Sequence, residues 1–102
     1  MSGIVSSPPV RLRNAVLLNE NTTYLAASDG HLSVYLLSAD AYDIIRIKTD
    51  TSSPPVTTRA LDEVGSANGS AGCSFSIKKG LYFEAMNDSA SIVAKVYWVP
   101  QK

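Results

Sequence analysis

The sequence is poor in the residues that build reactive sites. Its 102 residues include one cysteine, Cys73, and one histidine, His31. A single cysteine excludes an intrachain disulfide bond and a cysteine-rich metal site. A catalytic or metal-binding histidine needs partner groups, and none lies beside His31 in the sequence. No Gly-x-Ser-x-Gly motif indicates a nucleophilic serine. We therefore interpret His31 as a polar residue that opens a strand.

The chain also lacks an excess of charge of either sign and has no long apolar run. Nine Lys and Arg residues balance nine Asp and Glu residues. This balance argues against a nucleic-acid partner, which normally requires a basic excess, and it removes a repulsion that would oppose self-association. No segment approaches the ~18 apolar residues that span a bilayer, and residues 1–9 do not have the pattern of a secretory signal. We expect no nucleic-acid and no membrane partner.

The remaining candidates for site chemistry are equally weak. The carboxylates are scattered, and none forms an Asp-x-Asp-x-Asp-Gly calcium loop. The glycine-rich stretch 65–72 lacks the Lys-Ser/Thr pair of a phosphate-binding loop, so we interpret it as a flexible surface loop. Cys73 falls at an inward position of an alternating strand and behaves as a small hydrophobic residue. The sequence therefore predicts no catalytic residue, no metal site and no cofactor, and we predict that the protein is not an enzyme.

What the sequence does contain is alternation of apolar and polar residues with a period of two. Residues 31–36 alternate strictly, which predicts that Leu32, Val34 and Leu36 face a core. Residues 73–78 alternate in the same way and place Cys73, Phe75 and Ile77 inward. Such alternation over six residues is the pattern of a half-buried strand.

Further strands are predicted at 10–18, 22–28, 42–48 and 56–61, with a short helix over 58–64 as an alternative. The segments 81–86 and 91–99 flank a turn-forming Asn87-Asp88-Ser89-Ala90 and predict a β-hairpin. Both faces of 91–99 are apolar, which favours a central strand.

Seven to eight short strands at this spacing predict an all-β fold, specifically an antiparallel, jelly-roll-like β-sandwich. We assign the sandwich domain to residues 10–102. Residues 1–9 carry Pro8-Pro9, which holds a chain extended, and are predicted to form an N-terminal arm.

Two groups of residues are candidates for interaction. Tyr35, Tyr82 and Tyr97 fall on strand faces that point away from the inner core. Aromatic residues there are typical of a subunit interface, of a platform that stacks sugars or bases, or of a second packed layer. The second group lies in the arm and consists of Ile4, Val5, Pro8 and Pro9.

An arm ahead of a neutral all-β domain, closed by the segments 77–83 and 94–100, resembles small virion proteins of tailed bacteriophages. These include capsid-decorating or cementing proteins and small tail components. The resemblance covers the style of the whole chain and transfers no functional residue.

The resemblance implies a structural virion protein, made in the host cytoplasm, that forms a homo-oligomer, with a trimer favoured. Such a protein docks on other virion proteins through its arm and loops, and so decorates or cements the capsid. The alternative is a carbohydrate- or receptor-binding β-sandwich module, lectin-like or at a tail tip, with a glycan as its ligand.

Overall fold

Eight β-strands make up the part of the chain that the computed structural model describes, residues 15–89 and 92–101, and this part contains no helix. The predicted arm, with Ile4, Val5, Pro8 and Pro9, lies outside these residues. No helix of the described chain is long and apolar enough to cross a membrane. The all-β prediction is confirmed. The strands are β1 Val16–Leu18, β2 Thr23–Leu25, β3 Gly30–Ala39, β4 Ile44–Asp50, β5 Thr58–Glu63, β6 Gly69–Ile77, β7 Tyr82–Asn87 and β8 Lys95–Pro100.

The strands form two four-stranded sheets in a sandwich-like arrangement. Sheet A has the order β1-β8-β3-β6, and sheet B has the order β2-β7-β4-β5. Every neighbouring pair is antiparallel. Apart from β4 and β5, strands that follow one another in the chain lie in opposite sheets. The chain therefore crosses repeatedly between the sheets, and residues distant in the sequence become neighbours.

A single hydrophobic core lies between the sheets. The predicted alternation in β3 is confirmed, since Leu32, Val34 and Leu36 are fully buried. Sheet B contributes Ile45 and Ile47 from β4, which are also fully buried. Each such side chain stabilises the fold by about 1.5–3 kcal/mol relative to exposure. The ring of Phe83 in β7 stacks on that of Trp98 in β8, with centroids 4.9 Å apart, and so joins the two sheets.

Trp98 also explains why β3 begins with glycine. A Cβ atom on Gly30 would lie 2.3 Å from the Trp98 ring, a distance that no real Cβ atom adopts. The indole therefore packs directly on the Gly30 backbone. Gly30 is paired with Pro100 and His31 with Val99, so this contact fixes the end of β8 against β3.

The predicted hairpin of segments 81–86 and 91–99 is wrong. β7 pairs with β2 and β4 in sheet B, whereas β8 pairs with β1 and β3 in sheet A. The turn residues reverse the chain but also carry it to the other sheet. Asn87 is buried at this crossing, and its Nδ2 donates to Glu20 Oε1 and to the Ile92 carbonyl, both at 2.7 Å. The prediction that β8 is central is confirmed, because it lies between β1 and β3.

Two other local expectations are corrected. Only residues 65–68 of the glycine-rich stretch form a loop, because β6 starts at Gly69 and pairs with β3. The alternative of a helix over 58–64 is wrong, since residues 58–63 form β5 on the edge of sheet B. In both cases pairing with another strand, β3 for β6 and β4 for β5, decides the conformation, which local composition does not reveal.

Candidate functional site

The outward side of sheet A is the most distinctive surface of the described chain. Residues that face each other in antiparallel strands project to the same side of a sheet. One row of such residues therefore runs across all four strands and consists of Leu17, Tyr97, Ser33 and Ser74. We call this surface outer face A. It consists of Leu17, His31, Ser33, Tyr35, Leu37, Gly72, Ser74, Ser76, Lys95, Tyr97 and Val99.

Two of the three predicted tyrosines meet on outer face A. The rings of Tyr35 and Tyr97 lie 6.2 Å apart, centroid to centroid, at an interplanar angle of 60°. This edge-to-face geometry is favourable for aromatic pairs. The Tyr35 ring also covers Gly72, where a Cβ atom would lie 3.2 Å from Tyr35 Cδ1. The pair forms a low aromatic platform in the middle of the face.

Exposed aliphatic side chains extend this platform. Leu17 is 63% exposed and lies opposite Tyr97 on β1. Leu37 is 57% exposed and follows Tyr35 by two positions on β3. Lys95 is the only side chain of outer face A with a full charge. Exposed apolar side chains that are grouped on one face are more typical of an interaction site than single scattered ones. Leu17 and Leu37 are not among the predicted interaction residues, although their strand parity matches that of the tyrosines.

The outward side of sheet B has a different composition. We call it outer face B, and it includes Tyr82, the third predicted tyrosine, which lies opposite Leu25. It carries charged side chains of both signs. Lys48 lies opposite Glu84, and Thr23 Oγ1 donates to Glu84 Oε1 at 3.1 Å. Tyr82 is therefore separated by the thickness of the sandwich from the other two tyrosines. The outward residues of sheet B are Thr23, Leu25, Ile44, Arg46, Lys48, Asp50, Thr58, Leu61, Glu63, Tyr82, Glu84 and Met86.

A cleft of about 280 Å³ borders outer face A where β1 and β8 meet. Leu17, Val93 and Lys95 line it together with Glu20. The Glu20 carboxylate is already engaged, since Oε1 accepts from the Ala94 N–H and from Asn87 Nδ2, both at 2.7 Å. Glu20 therefore anchors the crossing between β7 and β8.

Cys73 and His31 are the remaining candidates for site chemistry. Burial, followed by the negative charge of Asp62, raises the pKa of the Cys73 thiol to about 11, so the thiol is protonated at neutral pH and is a poor nucleophile. His31 Nδ1 lies 3.2 Å from Ser76 Oγ on outer face A. Within residues 15–89 and 92–101, no three His, Cys, Asp or Glu side chains are grouped to hold a metal ion.

Asp50 has a structural role in the loop between β4 and β5. Its carboxylate accepts hydrogen bonds from the N–H groups of Val56 and Thr57 and from the Thr57 hydroxyl. Arg59 adds an ion pair at 3.9 Å. The Val56 N–H, the Thr57 groups and the Arg59 charge hold the pKa of Asp50 below its ordinary value.

Comparison of the chain with protein-family models, with curated proteins and with solved structures gives no match.

Proposed function

We propose that this chain is a structural protein of a tailed-bacteriophage virion, which decorates or cements the capsid and is not an enzyme. It associates with further copies of itself and with other virion proteins through outer face A. The observation that carries the proposal is the apolar, tyrosine-bearing surface on which Lys95 is the only fully charged side chain. Because interface centres are depleted in charge and enriched in tyrosine, this composition suits a protein contact.

The strand pairing supports assigning the domain to the jelly-roll type. Four antiparallel pairs are nested along the chain, namely β1 with β8, β2 with β7, β3 with β6 and β4 with β5. A jelly roll has eight strands in two sheets with Greek-key connections, and it occurs in viral capsid proteins and in lectins. Since one fold serves several functions, the choice between them depends on the surface.

The mass of the untagged protein in solution tests the proposal. Light scattering after size exclusion, over a range of concentrations, is expected to give a mass above that of the 10.9 kDa chain. Replacing Leu17 by Asp places a charge on outer face A at a largely exposed position, and is expected to lower the mass while leaving the fold intact. A protein that is monomeric at every concentration, or a Leu17→Asp variant with unchanged mass, would overturn self-association through this face.

A specific observation favours glycan binding as the second candidate. The Tyr35–Tyr97 pair lies beside the hydroxyl groups of Ser33 and Ser74, and an aromatic platform bordered by hydroxyls suits a neutral sugar. A glycan array would then bind the wild-type protein, and Tyr97→Ala would abolish binding. Binding by a monomeric wild-type protein would favour this function over assembly.

A further inference from the structure

Strand β6 forms a long edge of sheet A. Its nine residues, Gly69–Ile77, pair with β3 on one side, and no described strand pairs with its other side. The opposite edge of the sheet, β1, has only three residues. An edge strand presents backbone N–H and C=O groups that can pair with another chain, so β6 offers much the longer template in this sheet.

The hydrogen bond of Gly72 identifies the groups that point outward. Its N–H donates to Asp62 Oδ2 at 3.0 Å, so it is directed away from β3. In an antiparallel strand every second residue turns its N–H and C=O to the same side. The backbone groups of Ser74 and Ser76 therefore point away from β3 as well, while their exposed side chains lie on outer face A.

Little protects this edge against pairing. Natural edge strands are usually blocked by charged side chains, by proline or by a covering segment. The segment 69–77 contains no charged residue and no proline. Among the described residues, strand β5 lies close to β6, and its Asp62 accepts a hydrogen bond from the outward N–H of Gly72. Within residues 15–89 and 92–101, no side chain hydrogen-bonds to the outward backbone groups of Ser74 and Ser76.

We propose that β6 pairs antiparallel with β6 of a second copy and continues sheet A across a twofold axis. The inference rests on the self-association proposed above and names one of its contacts. An antiparallel pair of identical strands is self-complementary, which a twofold interface requires. The formal net charge of the chain is zero, so electrostatic repulsion between two copies does not oppose this contact. Pairing also joins the two copies of outer face A into one surface, so both contacts serve the same assembly.

Asp62 has a defined role in this proposal. Its carboxylate competes with the second copy for the N–H of Gly72, and it limits how far along the edge the strands pair. Replacing Asp62 by Ala frees one donor in each copy. Because two hydrogen bonds are gained per dimer, the variant is expected to dimerise about tenfold more tightly.

Replacing Ser74 by Pro tests the edge in the full-length protein. Proline removes an N–H that points outward, at a position where an edge strand accepts it. The variant is expected to lose the β6 contact and to show a lower mass by light scattering, with an unchanged circular dichroism spectrum.

A cysteine variant keeps the test valid if Ser74→Pro unfolds the chain. Ser74→Cys is made in the background of Cys73→Ser and oxidised in dilute solution. Covalent dimers are expected from this variant, and also from Ser76→Cys if the twofold axis lies nearer that residue. Thr58→Cys, on the exposed edge strand β5, is the matched control and is expected to remain monomeric on a denaturing gel.

The outcomes separate this inference from the proposed function. If Ser74→Pro folds with an unchanged mass, or if neither edge cysteine crosslinks above the Thr58→Cys control, the β6 contact is overturned. Self-association through outer face A then still stands if Leu17→Asp lowers the mass. If Ser74→Pro lowers the mass and Leu17→Asp does not, the edge contact stands and the role of outer face A falls.

Discussion

The two sheets share one core but present different outer faces. On outer face B, opposite charges such as Lys48 and Glu84 lie across from one another, and Thr23 donates to the same carboxylate. On outer face A, the central contacts are the Tyr35–Tyr97 pair and the packing of Tyr35 on Gly72. Outer face B carries charged side chains of both signs, among them Arg46, Lys48 and Glu84, whereas Lys95 is the one fully charged side chain of outer face A. This difference is the reason for proposing outer face A as the contact surface.

The largest expected difference in stability is between a substitution on the inner side of β3 and one on its outer side. Leu32 is fully buried, so Leu32→Ala leaves a cavity and is expected to lower the free energy of unfolding by about 2–5 kcal/mol. Leu37 is 57% exposed, and Leu37→Ala is expected to change it by less than about 0.5 kcal/mol. Urea unfolding of both variants measures the contrast. A large loss for Leu37→Ala would mean that outer face A supports the fold of the monomer.

The crossing between the sheets is expected to be the next most sensitive region. Asn87→Ala removes the donors to Glu20 and to the Ile92 carbonyl and the acceptor for the Ser89 N–H, which are all part-buried hydrogen bonds. The free energy of unfolding is expected to fall by about 1–3 kcal/mol. Ser66→Ala, in the exposed loop before β6, serves as a control. Equal stability of the two variants would show that the crossing does not depend on Asn87.

The packing of Trp98 on Gly30 predicts a similar or smaller loss in the free energy of unfolding when Gly30 is replaced. In Gly30→Ala the new methyl group meets the indole ring, and either β3 or the ring must shift, which is expected to cost about 1–3 kcal/mol. Gly65→Ala is the matched control, because no atom lies within 4 Å of the added Cβ. Thermal unfolding distinguishes them, and similar melting temperatures would contradict the tight contact.

The smallest expected effect is the pH dependence contributed by Asp50. Its pKa in the folded protein is below the ordinary value of 3.8, so its contribution to stability is complete above that value. The contribution is lost as the pH falls through the folded pKa. Asp50→Asn is therefore expected to lose less stability than the wild type on acidification from pH ~5 to pH ~2.5. Parallel losses in urea unfolding at the two pH values would argue against this role of the carboxylate.

The sequence predicted strand positions better than strand partners. Alternation in β3 correctly separated Leu32, Val34 and Leu36 from the outward residues, because burial on one face leaves a period of two. The segments of β7 and β8 were assigned to a hairpin because a turn motif reports a reversal of the chain and not the sheet that it enters. The crossing of the chain to sheet A involves the hydrogen bond between Asn87 and Glu20, which are 67 positions apart.

For the candidate site, too, the sequence predicts the outward direction of a residue but not its neighbours in the sheet. Parity along each strand identified Tyr35, Tyr82 and Tyr97 as outward, and the structure separates them into two faces according to the sheet that holds each strand. Gly72 appeared to belong to a loop, because its role under the Tyr35 ring depends on a strand pairing between residues 37 positions apart. The arm candidates Ile4, Val5, Pro8 and Pro9 stay predictions.

Sedimentation velocity on Leu37→Asp and Leu61→Asp tests the central claim most directly. The two leucines are 57% and 52% exposed, and they project from outer face A and outer face B, respectively. The same charge is thus added to each face at matched exposure. We predict that Leu37→Asp sediments as a smaller species than the wild type, while Leu61→Asp retains the wild-type sedimentation coefficient. Equal behaviour of the two variants, or loss of assembly only in Leu61→Asp, would contradict the assignment of outer face A as the contact surface.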